Sequence, residues 1–262
     1  MIIDAHAHIY PEKIAEKASI TIGEFYDIKM AYDGTVEHLL EEGTKAGVDK
    51  FLVHSVATTP KQVSSINRFI AESVAAYPDK FIGFCTMHPD SDQKAEEFAW
   101  AMEHGLKGIK LHPDFQKFHI DDERALEIYA LAEGKCPVLF HMGDYRTQYS
   151  KAERLARVME QFPNLDCIAA HFGGYSEWDT GAAYLATTGC YVDTSSSTWM
   201  LEPYKVRQLV DIYGADHVLF GTDYPMWDAT EELARLLRTE FTEEEKELIY
   251  HKNLERLLAK YE

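Results

Sequence analysis

Eight short apolar runs, each bounded by turn residues, recur along the 262-residue chain: "MIIDAHAHI", "KFLVHSVA", "FIGFCTMHP", "GIKLHP", "PVLFHMG", "DCIAAHFGG", "CYVDTSS" and "VLFGTDYP". Between them lie stretches of helical period, among them Val36 to Ala46, Val63 to Ala76, Ala95 to His104, Glu123 to Leu131 and Ala152 to Gln161. Near-continuous apolar strands are buried on both faces, and their alternation with amphipathic helices indicates a parallel sheet covered by helices. Eight such units in a chain of this length predict an α/β fold closed on itself, the (β/α)8 or TIM barrel. The rival, an open doubly wound sheet, would want a Gly-rich phosphate loop after an early strand, and the sequence has none.

No Pro/Gly/Ser-rich linker or low-complexity run divides the chain, so residues 1–262 read as a single domain. One segment breaks the rhythm. Some two dozen residues, "YPEKIAEKASITIGEFYDIKMAYDG", separate the first strand from the helix at Val36 and predict a long loop after that strand, of the kind that covers a site. Its aromatics Tyr10, Phe25, Tyr26 and Tyr32 argue against a mere surface excursion. At the far end, "FTEEEKELIYHKNLERLLAKYE" reads as an amphipathic helix capping the barrel.

The formal charge of −18 speaks against nucleic-acid binding, which needs clustered Lys and Arg to neutralise phosphates. No apolar stretch is long enough to span a membrane and the start lacks the basic region of a signal peptide, so a cytoplasmic location is expected. Cys85, Cys136, Cys167 and Cys190 sit in or beside predicted strands without CxxC spacing, and read as small core residues rather than disulfides or metal ligands. The chain does not choose between a monomer and a homo-oligomer.

Active sites of this fold lie at the C-terminal ends of the strands. There the first strand carries His6 and His8, the fourth Lys110 and His112, the fifth His141, the sixth His171 and the eighth Asp223. Residues two apart in a strand share a face, so His6 and His8 point the same way. Barrel closure sets the eighth strand beside the first and brings Asp223 to those two histidines, with His141 facing them from the far wall. Imidazole and carboxylate suit one borderline divalent cation such as zinc, which activates water and polarises a carbonyl oxygen. Asp223 would both touch the metal and take a proton, and His171 would serve as proton shuttle or oxyanion stabiliser. Arg146, just beyond the fifth strand, is a candidate to grip a substrate carboxylate, or else a surface ion pair. Aromatics after the last three strands (Tyr175, Trp178, Trp199, Tyr224 and Trp227) hint at a flat organic substrate, while "TSSST" adds hydroxyls of no evident purpose.

"DAHAHIY", "HMG", "HFGG", "FGTDYP" and the closing "NLERLL" together resemble the amidohydrolase superfamily over the whole length, in the branch that includes aminocarboxymuconate-semialdehyde decarboxylase. The resemblance implies a single divalent metal, usually zinc, on His6, His8, His141 and Asp223, with His171 in acid–base chemistry. In binuclear members a carboxylated lysine on the fourth strand bridges two metals. Lys110 is therefore either such a bridge to a second metal, or an ammonium that pairs with a carboxylate such as Asp4 or contacts substrate. His112 is a further ligand, a substrate contact or a structural residue.

The expectation from sequence is a metal-dependent hydrolase of an amide, lactone or ester of a small organic acid. The first rival is a metal-dependent, non-oxidative decarboxylase of an unsaturated or aromatic acid. The second is a non-catalytic metal-binding barrel, against which the acid–base candidate His171 counts.

Overall fold

The computed structural model describes residues 1–262. Its strands are β1 (Ile3–His8), β2 (Lys50–His54), β3 (Phe81–Thr86), β4 (Gly108–Leu111), β5 (Val138–Phe140), β6 (Cys167–Ala169), β7 (Tyr191–Asp193) and β8 (Val218–Leu219). They form one eight-stranded sheet in chain order, and every neighbouring pair is parallel. Beyond β8 the chain bonds back to β1: Ala5 N donates to Phe220 O at 2.8 Å, Asp223 N to His6 O at 2.9 Å and His8 N to Tyr224 O at 2.7 Å. Asp4 reinforces this seam by accepting from the Thr222 hydroxyl at 2.6 Å and from the Thr222 backbone at 3.0 Å. Gly221 is needed there, because a Cβ on it would lie 3.0 Å from His6 Cβ. The sheet is the TIM barrel expected from the alternating pattern.

Two apolar layers hold it. The larger lies between strands and surrounding helices, and the smaller fills the barrel interior with residues such as Ile3, Leu52, Phe84, Leu139 and Ile168. Leu254 and Leu257 from the helix Asn253–Leu258 plug that interior layer, so the C-terminal segment does cap the barrel. No helix is long and apolar enough to cross a membrane.

β1 contains a register shift that matters for the site. Asp4 pairs with Phe51 and Ala7 with Val53, so β1 spends one more residue than β2 over the same span. Ile3 and Ala5 face the barrel interior, and in strict alternation His6 and His8 would then face outward. The extra residue re-aims them inward, which is a known use of a β-bulge.

The segment after β1 is not a loop. Most of it is the helix α1 (Glu12–Tyr26), which is followed by α2 (Val36–Ala46) and, after β2, by α3 (Val63–Ala76). The positions that α1 buries, Ala15, Ser19 and Gly23, are small residues four apart. Ile14 and Ile20 are about half exposed. The helix lies close on its support through a stripe of small side chains, so the large-residue pattern that marks an amphipathic helix is missing from its buried face. Asp27, in the left-handed region at φ 54°, ends it.

Candidate active site

His6 is the buried centre of the polar cluster. Its Nδ1 lies 2.9 Å from Asp193 Oδ2, a carboxylate that can only accept, so Nδ1 carries the proton and Nε2 presents its lone pair. Burial, aided by the nearby charge of Lys110, lowers the His6 pKa to about 4. Burial opposes ionisation of Asp193, but His6 outweighs it and holds that carboxyl at about 2. Asp223 Oδ1 stands 3.3 Å from His6 Nε2 and 3.4 Å from His8 Nε2. Burial works against this charge as well, and the histidines around it keep the Asp223 carboxyl well below the usual range.

A second cluster faces it. His171 Nδ1 lies 3.0 Å from the Ser195 carbonyl, and His171 Nε2 lies 3.0 Å from His141 Nδ1. In neutral rings the carbonyl fixes the proton on His171 Nδ1, so His171 Nε2 accepts from His141 Nδ1–H. His141 Nε2 is thereby left with a lone pair, 3.4 Å from the Tyr26 hydroxyl and 3.5 Å from Asp114 Oδ2. The same Tyr26 hydroxyl is 3.1 Å from His112 Nε2, and the His112 and His141 rings stack at 3.9 Å. His171 at φ 60°, Ser196 at φ 47° and Asp223 at φ 64° all hold a backbone conformation that is costly outside glycine, at the ends of β6, β7 and β8.

These side chains fit a divalent cation. His6, His8 and His54 each offer a nitrogen, and the three lie within 4.8 Å of one another. His6 has the carboxylate partner on its outer nitrogen that orients a metal-binding imidazole. His112, Asp114 and His141 form a further group with the same spacing.

A cavity of about 640 Å³ opens from this corner. His8, His112, His141 and Asp223 line one end, and Ile14, Ile22, Phe25, Ile66, Phe69 and Phe115 supply apolar wall. α1 roofs it. Its last residue reaches His112 and His141 through the Tyr26 hydroxyl, and the Arg146 guanidinium holds its end by donating to Phe25 O at 2.7 Å.

A family model described as amidohydrolase matches residues 3–260. The chain belongs to the amidohydrolase family. This makes it an enzyme of a metal-dependent superfamily. Among solved structures, this amidohydrolase is similar to an uncharacterized TIM-barrel protein from Bordetella bronchiseptica, at 23% identity and TM-score 0.77 over 99% of both chains. It is also similar to a 2,6-dihydroxybenzoate decarboxylase complexed with 2,6-dihydroxybenzoate, at 17% identity and TM-score 0.74, over 98% of this chain and 99% of that one. A third is 5-carboxyvanillate decarboxylase from Novosphingobium aromaticivorans, complexed with manganese and a nitrobenzoic acid, at 16% identity and TM-score 0.78 over 99% and 96%. At such identities the likeness speaks for the fold.

Of the residues expected from the sequence, the amidohydrolase brings His6, His8 and Asp223 to one point, sets His141 against His171, and places His112 on the cavity wall. Two differ from expectation. Lys110 is fully buried with Nζ 3.0 Å from His6 Nε2, neither lining the cavity nor pairing with Asp4, whose oxygens are taken by Thr222 and the His6 backbone. Burial brings its pKa down to about 8, against the pull of Asp223 and Asp193. Arg146 also lies off the cavity: its guanidinium bonds to the fully buried Asp144 at 2.7 and 2.9 Å as well as to Phe25 O. Of the late aromatics, Trp199 packs against Trp227, Tyr224 against Tyr32 and Tyr175 against Tyr26 and His171, while the aromatic walls of the cavity come from Tyr10, α1, Phe69 and Phe115.

Sequence reasoning missed Asp193, His54, Asp114 and Ser195. The first two sit at the ends of β7 and β2, where the same strand-end rule would have found them. Ser195 gives "TSSST" a purpose: its hydroxyl donates to Asp193 Oδ1 and lies 3.1 Å from His6 Nδ1 and 2.9 Å from His171 Nδ1, joining the two clusters.

Proposed function

We propose that this amidohydrolase is a metal-dependent, non-oxidative decarboxylase of an unsaturated or aromatic carboxylic acid. One observation carries the reading: Lys17 is the single Lys or Arg that lines the cavity. It lies nine residues before Tyr26 on α1, about 13 Å along the helix from the histidine corner. A hydrolase acting on a carboxylate-bearing substrate needs a cation to hold that group apart from the reacting carbonyl. Near the chemistry this cavity offers only the metal corner, so a substrate carboxylate bound there is itself the reacting group. The apolar walls suit the remaining ring or alkene. The two decarboxylases named above agree with this reading.

His6, His8, His141 and Asp223 would hold the ion. Zinc is the proposed metal because imidazoles dominate the set, although the solved 5-carboxyvanillate decarboxylase carries manganese. When bound, it supplies the positive charge that fixes a carboxylate and steadies the developing electron pair. The chain's residues do the rest. The walls from α1 and α3 orient the ring and exclude water. A proton must reach the carbon that loses carbon dioxide, and His171, whose Nε2 lies 3.0 Å from Nδ1 of the ligand His141, is the acid–base residue that would supply it. Asp223 keeps its charge throughout and orients His6 and His8.

Hydrolysis of an amide, lactone or ester is the second reading, favoured by the family's own description. Turnover of aromatic acids, and of their amides, lactones and esters, in D₂O and ¹⁸O-labelled water separates them. The expected result is carbon dioxide with a deuteron delivered to carbon. Oxygen label in an acid product, with no carbon dioxide, would overturn the proposal in favour of hydrolysis. A cytoplasmic location is supported by four cysteines that are all unpaired and buried. We take residues 1–262 to act as one domain, on a small organic acid.

A further inference from the structure

His54 ends β2 fully buried, and neither of its ring nitrogens has a hydrogen-bond partner. Buried imidazoles that serve structure are held by a carbonyl, a carboxylate or a hydroxyl, as His6 and His171 are here. His54 has none of these, yet it is not remote from the chemistry. The β1–β2 register pairs it directly with His8. Its ring lies 4.4 Å from the His8 ring, nearly perpendicular, and 4.9 Å from the His6 ring. One nitrogen of each of the three rings lies within 4.8 Å of the others. Three ligand atoms bound at about 2.1 Å to one ion lie at most about 3.6 Å from one another when evenly spread, so a closing movement of no more than about 0.7 Å per ring suffices.

We infer that His54 is a ligand of the metal centre, adding an imidazole from β2 to His6, His8, His141 and Asp223. This rests on the metal-dependent reading above. It gives one of the two orphaned nitrogens its partner, and it makes the donor set four imidazoles and one carboxylate with one position left for substrate. Such a set is nitrogen-rich and favours zinc or cobalt over manganese, which prefers oxygen donors.

X-ray absorption of the zinc-loaded wild type tests the inference without any variant. The scattering pattern of imidazole should count four rings, and a count of three or fewer would overturn it. Competition of zinc against a chromophoric chelator supplies the second arm. His54→Gln and His54→Phe, each verified as folded by thermal unfolding, should lose more than about 100-fold in affinity, past the ~10–100-fold that loss of an outer hydrogen-bond partner costs. Cobalt-loaded His54→Phe should absorb more strongly in the visible than cobalt-loaded wild type, as its coordination number falls. Unchanged affinity and spectrum in both variants would overturn the inference while leaving the metal centre standing. A wild type that binds no divalent ion, or a His8→Ala variant that binds it as well as wild type does, would instead overturn the metal reading and this inference with it.

Discussion

His141 Nδ1 and His171 Nε2 lie 3.0 Å apart, and that contact leaves the His141 lone pair on the side of the cavity. Replacing His171 with Asn should therefore spare the metal and remove the proton supply. We expect full metal content by elemental analysis and a kcat lower by about 100-fold or more, the scale of a missing acid–base group. Loss of a metal equivalent would instead mark His171 as a ligand. Extra density on the Lys110 side chain would then be sought as the carboxylate bridge to a second ion.

Asp193 holds the outer nitrogen of the proposed ligand His6, with Oδ2 2.9 Å from Nδ1. Asp193→Asn keeps the shape but permits the wrong His6 tautomer, so zinc affinity should fall by about 10–100-fold with the fold intact. Chelator competition measures the loss. An unchanged affinity would mean that the His6 ring is oriented by packing alone.

Arg146 is a clamp on Asp144 and α1. Arg146→Met should lower stability by about 2–3 kcal/mol, because it strips a buried carboxylate of its charge-assisted hydrogen bonds. Asp144→Asn together with Arg146→Met should recover part of that loss in urea unfolding. A larger effect on KM for small acids than on stability would restore Arg146 to substrate binding.

Asp4 carries a pH signature. Burial raises its carboxyl from 3.8 to about 7, against the hydrogen bonds from Thr222 and His6. Between those values the folded chain holds a proton that the unfolded chain has released, so this group's contribution makes stability fall as pH rises from about 4 to about 7. The full change is on the order of 4 kcal/mol. Asp4→Asn should flatten that slope by comparison with wild type. Parallel stability curves for the two proteins would show that Asp4 stays ionised in the fold.

The barrel was legible because its signal is repeated: eight runs, each short and apolar, each followed by a helical period. The strand-end rule then found His6, His8, His141, His171 and Asp223 from position alone. Asp193 and His54 end β7 and β2 and fall under the same rule. Other features had no local signature. The helical state of α1 is hidden because its buried stripe, Ala15, Ser19 and Gly23, consists of small residues. The inward aim of His6 and His8 depends on a bulge that appears only in the pairing with β2. The commitment of Arg146 to Asp144, two residues away, is a choice among partners that spacing alone does not rank.

Lys17 stands exposed on the roof helix and is the one Lys or Arg on the cavity wall. The protein around it carries a formal charge of −18, so an organic anion diffuses inward against the long-range field and is welcomed only over the last few ångströms. Encounter should then behave oppositely to the familiar steered enzyme. Added salt, by shrinking the Debye length from about 30 Å at 0.01 M to about 8 Å at 0.15 M, lifts the distant repulsion more than the close attraction, and capture of the anion becomes faster in brine than in dilute buffer.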